Sequence, residues 1–275
     1  MTWLAPIDED SWPTMPDEAM AIQDELRPKV ETTGPGREFG TIAGLDCAYA
    51  ETGEVVAAVV VLNATTLETV DSAVAHGTTE FPYHPGLLAF RELPTTMRVL
   101  AHLDTAPDLL ICDAQGLAHP RRFGLACHIG VRTGVPTIGV AKSVWGDYRE
   151  PGPDRGARTD ITIDGTVVGS ALRTRTGVKP VFVSVGHRID LDTACARVLA
   201  LTPDYRLPET TPARRLPVPR RTSHRRRAAP HFAPSSPDRP HRGQAPLIRI
   251  SLARWRNRRP STGWRPGRTG VPGWR

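Results

Sequence analysis

The sequence predicts an α/β fold with a mixed central sheet, in which three antiparallel strands precede parallel ones and helices flank the whole. Three observations carry that expectation. First, β-rich runs at residues 41–50, 54–64 and 67–75 are joined only by Glu51-Thr52-Gly53 and Thr65-Thr66. Links that short suit hairpins, so the three runs read as an antiparallel meander. Second, beyond Pro82 helical patterns alternate with short, nearly all-apolar strands, as parallel strands covered on both faces do. Third, the 275 residues allow one large domain or two small ones, and a body of about 200 residues buries a sizeable core without cross-links.

Each element has its own signal. Residues 16–30 form an amphipathic helical candidate with Met20, Ile22 and Leu26, closed by the Gly34-Pro35-Gly36 turn. Residues 86–104 repeat apolar side chains near helical spacing: Leu87, Leu88, Phe90, Leu93, Met97, Leu100 and Leu103. Residues 108–113 read as a short apolar strand, 123–133 as helix and 136–140 as strand. Residues 161–163, 167–173 and 181–185 are further strands, with Asp164-Gly165 as a hairpin turn, and 190–201 are a last helix. This order matches the ribonuclease H-like fold; a doubly wound sheet of another kind is the competing arrangement.

After Pro208 the chain changes character. Residues 212–275 hold 17 Arg, no Lys, 11 Pro and three of the six Trp, without apolar periodicity. Such a stretch buries too little apolar area to offset its ordering entropy, so disorder is expected there. Residues 1–211 are the expected catalytic domain. They carry 18 basic against 28 acidic residues, whereas 212–275 carry 17 against 1. The overall charge of +6 therefore belongs to the tail and says nothing about nucleic-acid binding by the body. The four cysteines, Cys47, Cys112, Cys127 and Cys195, lack CxxC spacing, and three lie in apolar runs. Reduced, buried thiols are expected rather than zinc or disulfides. No apolar run reaches the ~18 residues of a membrane span, and the first ten residues lack a signal-peptide core. A soluble, cytoplasmic, monomeric protein is expected.

Several residues stand where chemistry is possible. Asp46 interrupts the apolar run Ile42-Ala43-Gly44-Leu45-Asp46-Cys47. A carboxylate there is costly to bury unless it is paired or binds a cation; otherwise it points to a solvent face. Asp113 ends the apolar run Leu109–Cys112, at a strand's carboxyl end where ligands of α/β sheets gather, or it caps a turn. Glu92 alone is an ordinary helical glutamate. Together the three supply acids from separate elements, as Mg²⁺ sites and two-metal phosphodiester cleavage require. Lys142 follows another strand and could offset phosphate charge. Pro82-Tyr83-His84-Pro85 is a stiffened loop presenting an aromatic that could wedge between bases. His119, Arg121 and Arg122 could contact phosphates, or be a plain basic surface.

At these residues the chain resembles a known family. Gly44-Leu45-Asp46-Cys47-Ala48-Tyr49, the run from Tyr83 to Glu92, the run from Asp113 to Gly124, and Gly139-Val140-Ala141-Lys142-Ser143 look like the signature blocks of endonuclease V. Ser184-Val185-Gly186-His187-Arg188-Ile189-Asp190-Leu191 and Tyr205-Arg206-Leu207-Pro208-Glu209 fit the same family. The resemblance covers roughly residues 15–211. It implies a ribonuclease H-like fold and dependence on Mg²⁺, with Mn²⁺ able to substitute. It also implies DNA containing deoxyinosine, the deamination product of adenine, as substrate, cut at the second phosphodiester bond 3′ to the lesion. By resemblance Asp46, Glu92 and Asp113 hold the metal and Lys142 assists at the scissile phosphate. Pro82, Tyr83, His84 and Pro85 fill the gap left by the extruded base, and Gly86, Leu88, Gly116 and Gly124 line its pocket. A weakly paired, damaged base is the least costly to flip.

The chain departs from the family at two points. His84 stands where Ile is usual. After Leu207-Pro208-Glu209 the family continues to an active-site histidine, but here the chain reads Thr210-Thr211-Pro212-Ala213-Arg214-Arg215. The divergence coincides with the Arg- and Pro-rich tail, which reads as a shifted frame of a GC-rich gene or as a genuine basic tail. Two functional alternatives stand beside a DNA-repair endonuclease: an enzyme that cuts inosine-containing RNA, and a lesion-binding protein whose catalysis is impaired.

Overall fold

Glu54–Asn63 is almost wholly Val, Ala and Leu. β-branched side chains pack well on a pleated surface, and a run apolar on both faces needs cover on both. In the computed structural model, which describes residues 3–4, 7, 12–34, 38–49 and 53–211, this run is strand β2, near the middle of one half of a sheet. It pairs antiparallel with β1 (Thr41–Tyr49) and with β3 (Thr69–Thr78), which is the expected meander. Parts of the Gly34-Pro35-Gly36 turn and of the Glu51-Thr52-Gly53 link lie outside the described residues, as do residues 212–275 with the tail's expected disorder.

β3 begins two residues later than the apolar pattern implied. Asn63 Oδ1 accepts from the Thr65 and Thr66 amides at 2.9 and 3.0 Å. Leu67 is left-handed at φ 58°, so its position is used by the turn. The helix expected from Gly86 likewise starts later, as α2 (Ala89–Ala101), because Gly86 is left-handed at φ 83° and turns the chain into it. Pro94 sits inside α2 and cannot donate to the Phe90 carbonyl four residues back. The Trp12 indole N–H donates to that carbonyl instead, at 2.9 Å.

The remaining elements are α1 (Pro16–Leu26), continued by a 3₁₀ turn at Arg27–Lys29, then β4 (Leu109–Cys112), α3 (Leu125–Thr133), β5 (Thr137–Ala141), β6 (Asp147–Tyr148), β7 (Arg158–Ile163), β8 (Thr166–Leu172), β9 (Val181–His187) and α4 (Leu191–Ala200). Among the described residues nine strands form one sheet in the order β3-β2-β1-β4-β5-β9-β8-β7-β6. Parallel pairing is confined to β1, β4 and β5. The later strands return to antiparallel pairing. The two-residue β6 has no counterpart in the sequence reading. Asp164 and Gly165 are left-handed at φ 50° and 74°, the primed turn expected of a tight hairpin. α4 is capped by Asp190, whose carboxylate accepts from the Thr193 amide at 2.7 Å.

The sheet separates two cores. Leu45, Leu93, Leu100, Leu110 and Ile129 pack between the sheet and α2 and α3. Ile42, Ile111, Val183 and Val198 pack under α4. Cys112, Cys127 and Cys195 are buried and all four cysteines are free, as expected. Among the described residues no helix is long and apolar enough to cross a membrane.

The last described segment closes over the second face. Thr210 is buried, and its carbonyl oxygen lies 1.9 Å from where a Cβ on Gly44 would stand. Only glycine lets backbone approach β1 so closely there. Gly44→Ala is therefore expected to push the Thr210 segment off the sheet and destabilise the fold by about 1–3 kcal/mol. A urea denaturation curve with its midpoint unchanged from the parent's would refute this.

Candidate active site

The register of the parallel strands builds the site. Leu45 on β1 is paired with Cys112 on β4, so the next residues, Asp46 and Asp113, lie side by side about 4.8 Å apart in backbone spacing. Side chains alternate along a strand. Leu45 and Cys112 point to the α2 face, and Asp46 and Asp113 therefore point to the other. Cys112 is paired in turn with Gly139 on β5, which puts Lys142 just past the end of that strand, near Asp113. Its ammonium forms an ion pair with Asp113 Oδ2.

Glu92 comes from the first turns of α2. It is only 7% exposed, which is unusual for a glutamate. The Tyr49 hydroxyl, on the last residue of β1, donates to Glu92 Oε1 at 3.1 Å. The Arg91 guanidinium lies 5.2 Å from the Tyr49 ring centroid. At that distance the cation is attracted to the ring face. Tyr49 was not singled out from the sequence. The signal was its place three residues after Asp46 on the same strand.

The electrostatics show that the three acids share one field. The Asp46 carboxyl is pushed up to about 7, first by burial and then by the charge of Asp113, with Lys142 opposing. Glu92 is also pushed up to about 7, chiefly by burial, with Asp46 and Asp113 adding to it and the Tyr49 hydrogen bond opposing. Among the described residues no trio of His, Cys, Asp or Glu is arranged as a ready-made metal cage. Asp113 is paired with Lys142. The donor set itself is all carboxylate oxygen, the chemistry that hard divalent cations take. The mutual repulsion is what a bound cation would relieve. Asp46, Glu92 and Asp113 thus offer the donor chemistry such an ion takes, without a preformed cage.

Beside the acids lies a cavity of about 190 Å³. Tyr83, His84, Pro85, Gly86, Leu88 and Gly124 line it, as do Gln115 and Trp145. The loop Pro82–Pro85 is exposed throughout, and Tyr83 is 74% exposed, so an exposed aromatic stands at the mouth. Gly116 does not line this cavity. A Cβ on Gly116 would meet the Val185 carbonyl oxygen at 2.1 Å, so this glycine seats the loop after Asp113 on β9.

His119, Arg121 and Arg122, expected as phosphate contacts, have other partners in the structure. His119 Nε2 donates to the Gly86 carbonyl at 2.9 Å, and its Nδ1 accepts from the Arg121 amide at 3.2 Å. Burial pulls its pKa down to about 4. The ring is therefore neutral and offers no charge to a phosphate. Arg121 pairs with Asp24. Arg122 donates to the Ile163 carbonyl at 2.6 Å. The sequence reading also missed Gln23 on α1. Its carboxamide Nε2 donates to both the Gly86 and Phe123 carbonyls, at 3.1 and 3.0 Å. Two carbonyl acceptors fix which end of the amide is nitrogen. Gln23 thereby ties together the two loops that form the cavity walls.

The histidine absent after Glu209 would have followed a segment that does reach the site. Pro208, Thr210 and Thr211 line a small cavity of about 20 Å³ together with Asp113.

The raised acids make stability depend on pH in a defined sense. Asp46 and Glu92 bind their protons more tightly folded than unfolded. Their contribution is fully present below the unfolded carboxyl pKa near 4 and is lost as pH rises through about 7. The buried His119 and His128, with lowered pKa values, act with the opposite sign, so a difference measurement is needed. In chelator-containing buffer, Asp46→Asn is expected to raise the melting temperature over the parent at about pH 8 and to bring little gain at about pH 4. A gain independent of pH would contradict this assignment.

The molecule has known relatives in sequence and in shape. Residues 24–216 match the family model described as Endonuclease V. An endonuclease V from Nocardia farcinica is 65% identical over 201 residues, covering 72% of this chain and 89% of that one. The crystal structure of endonuclease V from Streptomyces avermitilis is similar with a TM-score of 0.71 at 53% identity, covering 77% of this chain and 93% of that chain. Endonuclease V from Ciona intestinalis, solved in complex with a 24mer DNA containing an inosine followed by a ribo-adenosine, is similar with a TM-score of 0.62 at 28% identity, covering 71% and 92%. The likeness extends to the ribonuclease H-like sheet. Sequence and shape agree, and the chain belongs to the endonuclease V family of nucleases.

Proposed function

We propose that this chain is a Mg²⁺-dependent DNA-repair endonuclease that recognises deoxyinosine and hydrolyses the second phosphodiester bond on its 3′ side. The observation that carries the reading is a juxtaposition. Asp46 on β1 and Asp113 past the end of β4 lie near Lys142 past the end of β5, and Glu92 on α2 lies within the field of both acids. They adjoin a small cavity whose rim carries an exposed tyrosine. The Ciona relative bound to inosine-containing DNA supports the choice of lesion.

Each residue then has a task. Asp46, Glu92 and Asp113 would hold Mg²⁺, or Mn²⁺ in its place. The bound ion supplies charge neutralisation at the scissile phosphate and an activated water. Lys142, beside Asp113, would place a positive charge at the departing oxygen. Tyr49 orients the Glu92 carboxylate through its hydroxyl. Tyr83, with Pro82, His84 and Pro85 fixing its loop, fills the gap in the base stack. The extruded base enters the cavity between Gly86, Leu88 and Gly124. An inosine pair gives up its base more readily than a matched pair. Gly116 supports the pocket from beneath. In this reading His119 serves the pocket through the Gly86 carbonyl, while Arg121 and Arg122 would meet phosphates only after leaving their present partners.

A second reading concerns the strand. The Ciona complex carries a ribo-adenosine after its inosine, which favours testing inosine-containing RNA as a substrate. Paired cleavage assays on DNA and RNA strands with one inosine decide between the two, and faster cutting of RNA would overturn the DNA assignment. A third reading, lesion binding without cleavage, follows from the histidine missing after Thr211.

The decisive experiment is nicking of an inosine-containing duplex, with Mg²⁺ and with chelator, beside an adenine control. Nicking is expected only with inosine and Mg²⁺. Asp113→Ala is expected to slow it on the order of a thousandfold while inosine-strand binding persists. If Asp113→Ala cuts as fast as the parent, the metal-site assignment is wrong. If the parent binds but never cuts, the third reading replaces the first.

A further inference from the structure

Trp145 stands where the functional reading leaves a place unassigned. It lies in the loop between β5 and β6, three residues after Lys142, and lines the same cavity as Tyr83. Its side chain is 40% exposed. Among the described residues it has no ring contact. A large aromatic open beside a cavity offers an apolar ring with a polar tip to what enters that cavity.

The loop that carries it is held at both sides. Val144 is partly buried and packs against the core cluster containing Ala118, Ala141, Ile161 and Phe182. Gly146 is left-handed at φ 98°, and a Cβ there would meet the Thr162 carbonyl oxygen at 2.5 Å. With its neighbours fixed on β7 and in the core, Trp145 presents its ring at low entropic cost. Rigid aromatics are the platforms on which nucleic-acid bases stack.

The place of the loop says which base. Lys142, at its start, pairs with Asp113, so one end of the loop marks the proposed cleavage centre. Trp145, at its other end, lines the cavity proposed for the extruded base. If the second bond 3′ to the lesion is cut, one nucleotide must bridge those two points. We propose that the Trp145 indole is a second aromatic contact for substrate, stacking on the base of the nucleotide immediately 3′ to the lesion. This rests on the reading of the chain as an inosine-directed nuclease. Tyr83 and Trp145 then divide the work: one fills the gap, and the other holds the strand between gap and cut.

The test uses the full chain and a duplex with inosine followed on its 3′ side by 5-iododeoxyuridine, which photocrosslinks to a stacked aromatic. Irradiation in chelator is expected to join the strand to the peptide containing Trp145, and Trp145→Ala to remove that product. In Mg²⁺ on the unmodified duplex, Trp145→Ala is expected to raise KM about tenfold, the order of one base–aromatic stack. The larger part of the loss should fall in KM rather than kcat. Trp145→Phe, which keeps a stacking ring, should restore most of it. A KM for Trp145→Ala within about twofold of the parent's, a Phe variant no better than Ala, or a crosslink mapping only to other residues overturns the proposal. A parent protein with no preference for inosine over the adenine control instead overturns the functional reading beneath it.

Discussion

The site depends on two carboxylates that the sheet forces together. Parallel pairing of β1 with β4 puts Asp46 and Asp113 at one level on one face, and no side-chain rearrangement can separate the strands that carry them. Glu92 adds a third acid from α2, fixed by a helix whose other side chains are core. Burial first, and then the neighbouring carboxylates, push Asp46 and Glu92 up. Such an arrangement is unfavourable for folding alone. It is in keeping with the pattern that perturbed titrations cluster where chemistry is done.

The neighbouring cavity is held by neutral groups. The Gly86 carbonyl accepts from both Gln23 and His119, and Gln23 also holds the Phe123 carbonyl. Burial keeps His119 uncharged. The pocket is therefore defined by hydrogen bonds among backbone and neutral side chains, while charge is concentrated a few residues away at Asp46, Asp113 and Lys142. Separation of this kind suits an enzyme that must accept an uncharged base in one place and a phosphodiester in the next. Close glycine contacts serve the same end: Gly44 admits the Thr210 backbone, and Gly116 admits β9.

Much of this was legible in the sequence because its causes are local. The valine-rich β2, the Asp164-Gly165 turn and the apolar β4 ending in Asp113 announce themselves through side-chain shape, turn conformation and periodicity. The acids Asp46 and Asp113 stood out as charges ending or interrupting apolar runs. Ordered motif blocks brought in Glu92, which its own surroundings in sequence could not, because an exposed and a buried helical glutamate look alike until the helix is placed.

What only the tertiary structure decided are relations between distant residues. Tyr49 donating to Glu92, Gln23 bridging two loops, His119 turned inward to Gly86, and Trp145 facing Tyr83's cavity each join segments whose spacing in sequence carries no signal. The same holds for the antiparallel return of β9 to β5 and for Trp12 taking the carbonyl that Pro94 leaves without a donor. Strand and turn preferences act over a few residues and are written in the chain. The side on which a charged group lies, and the group it meets there, is settled only when the sheet's register brings remote strands to one edge.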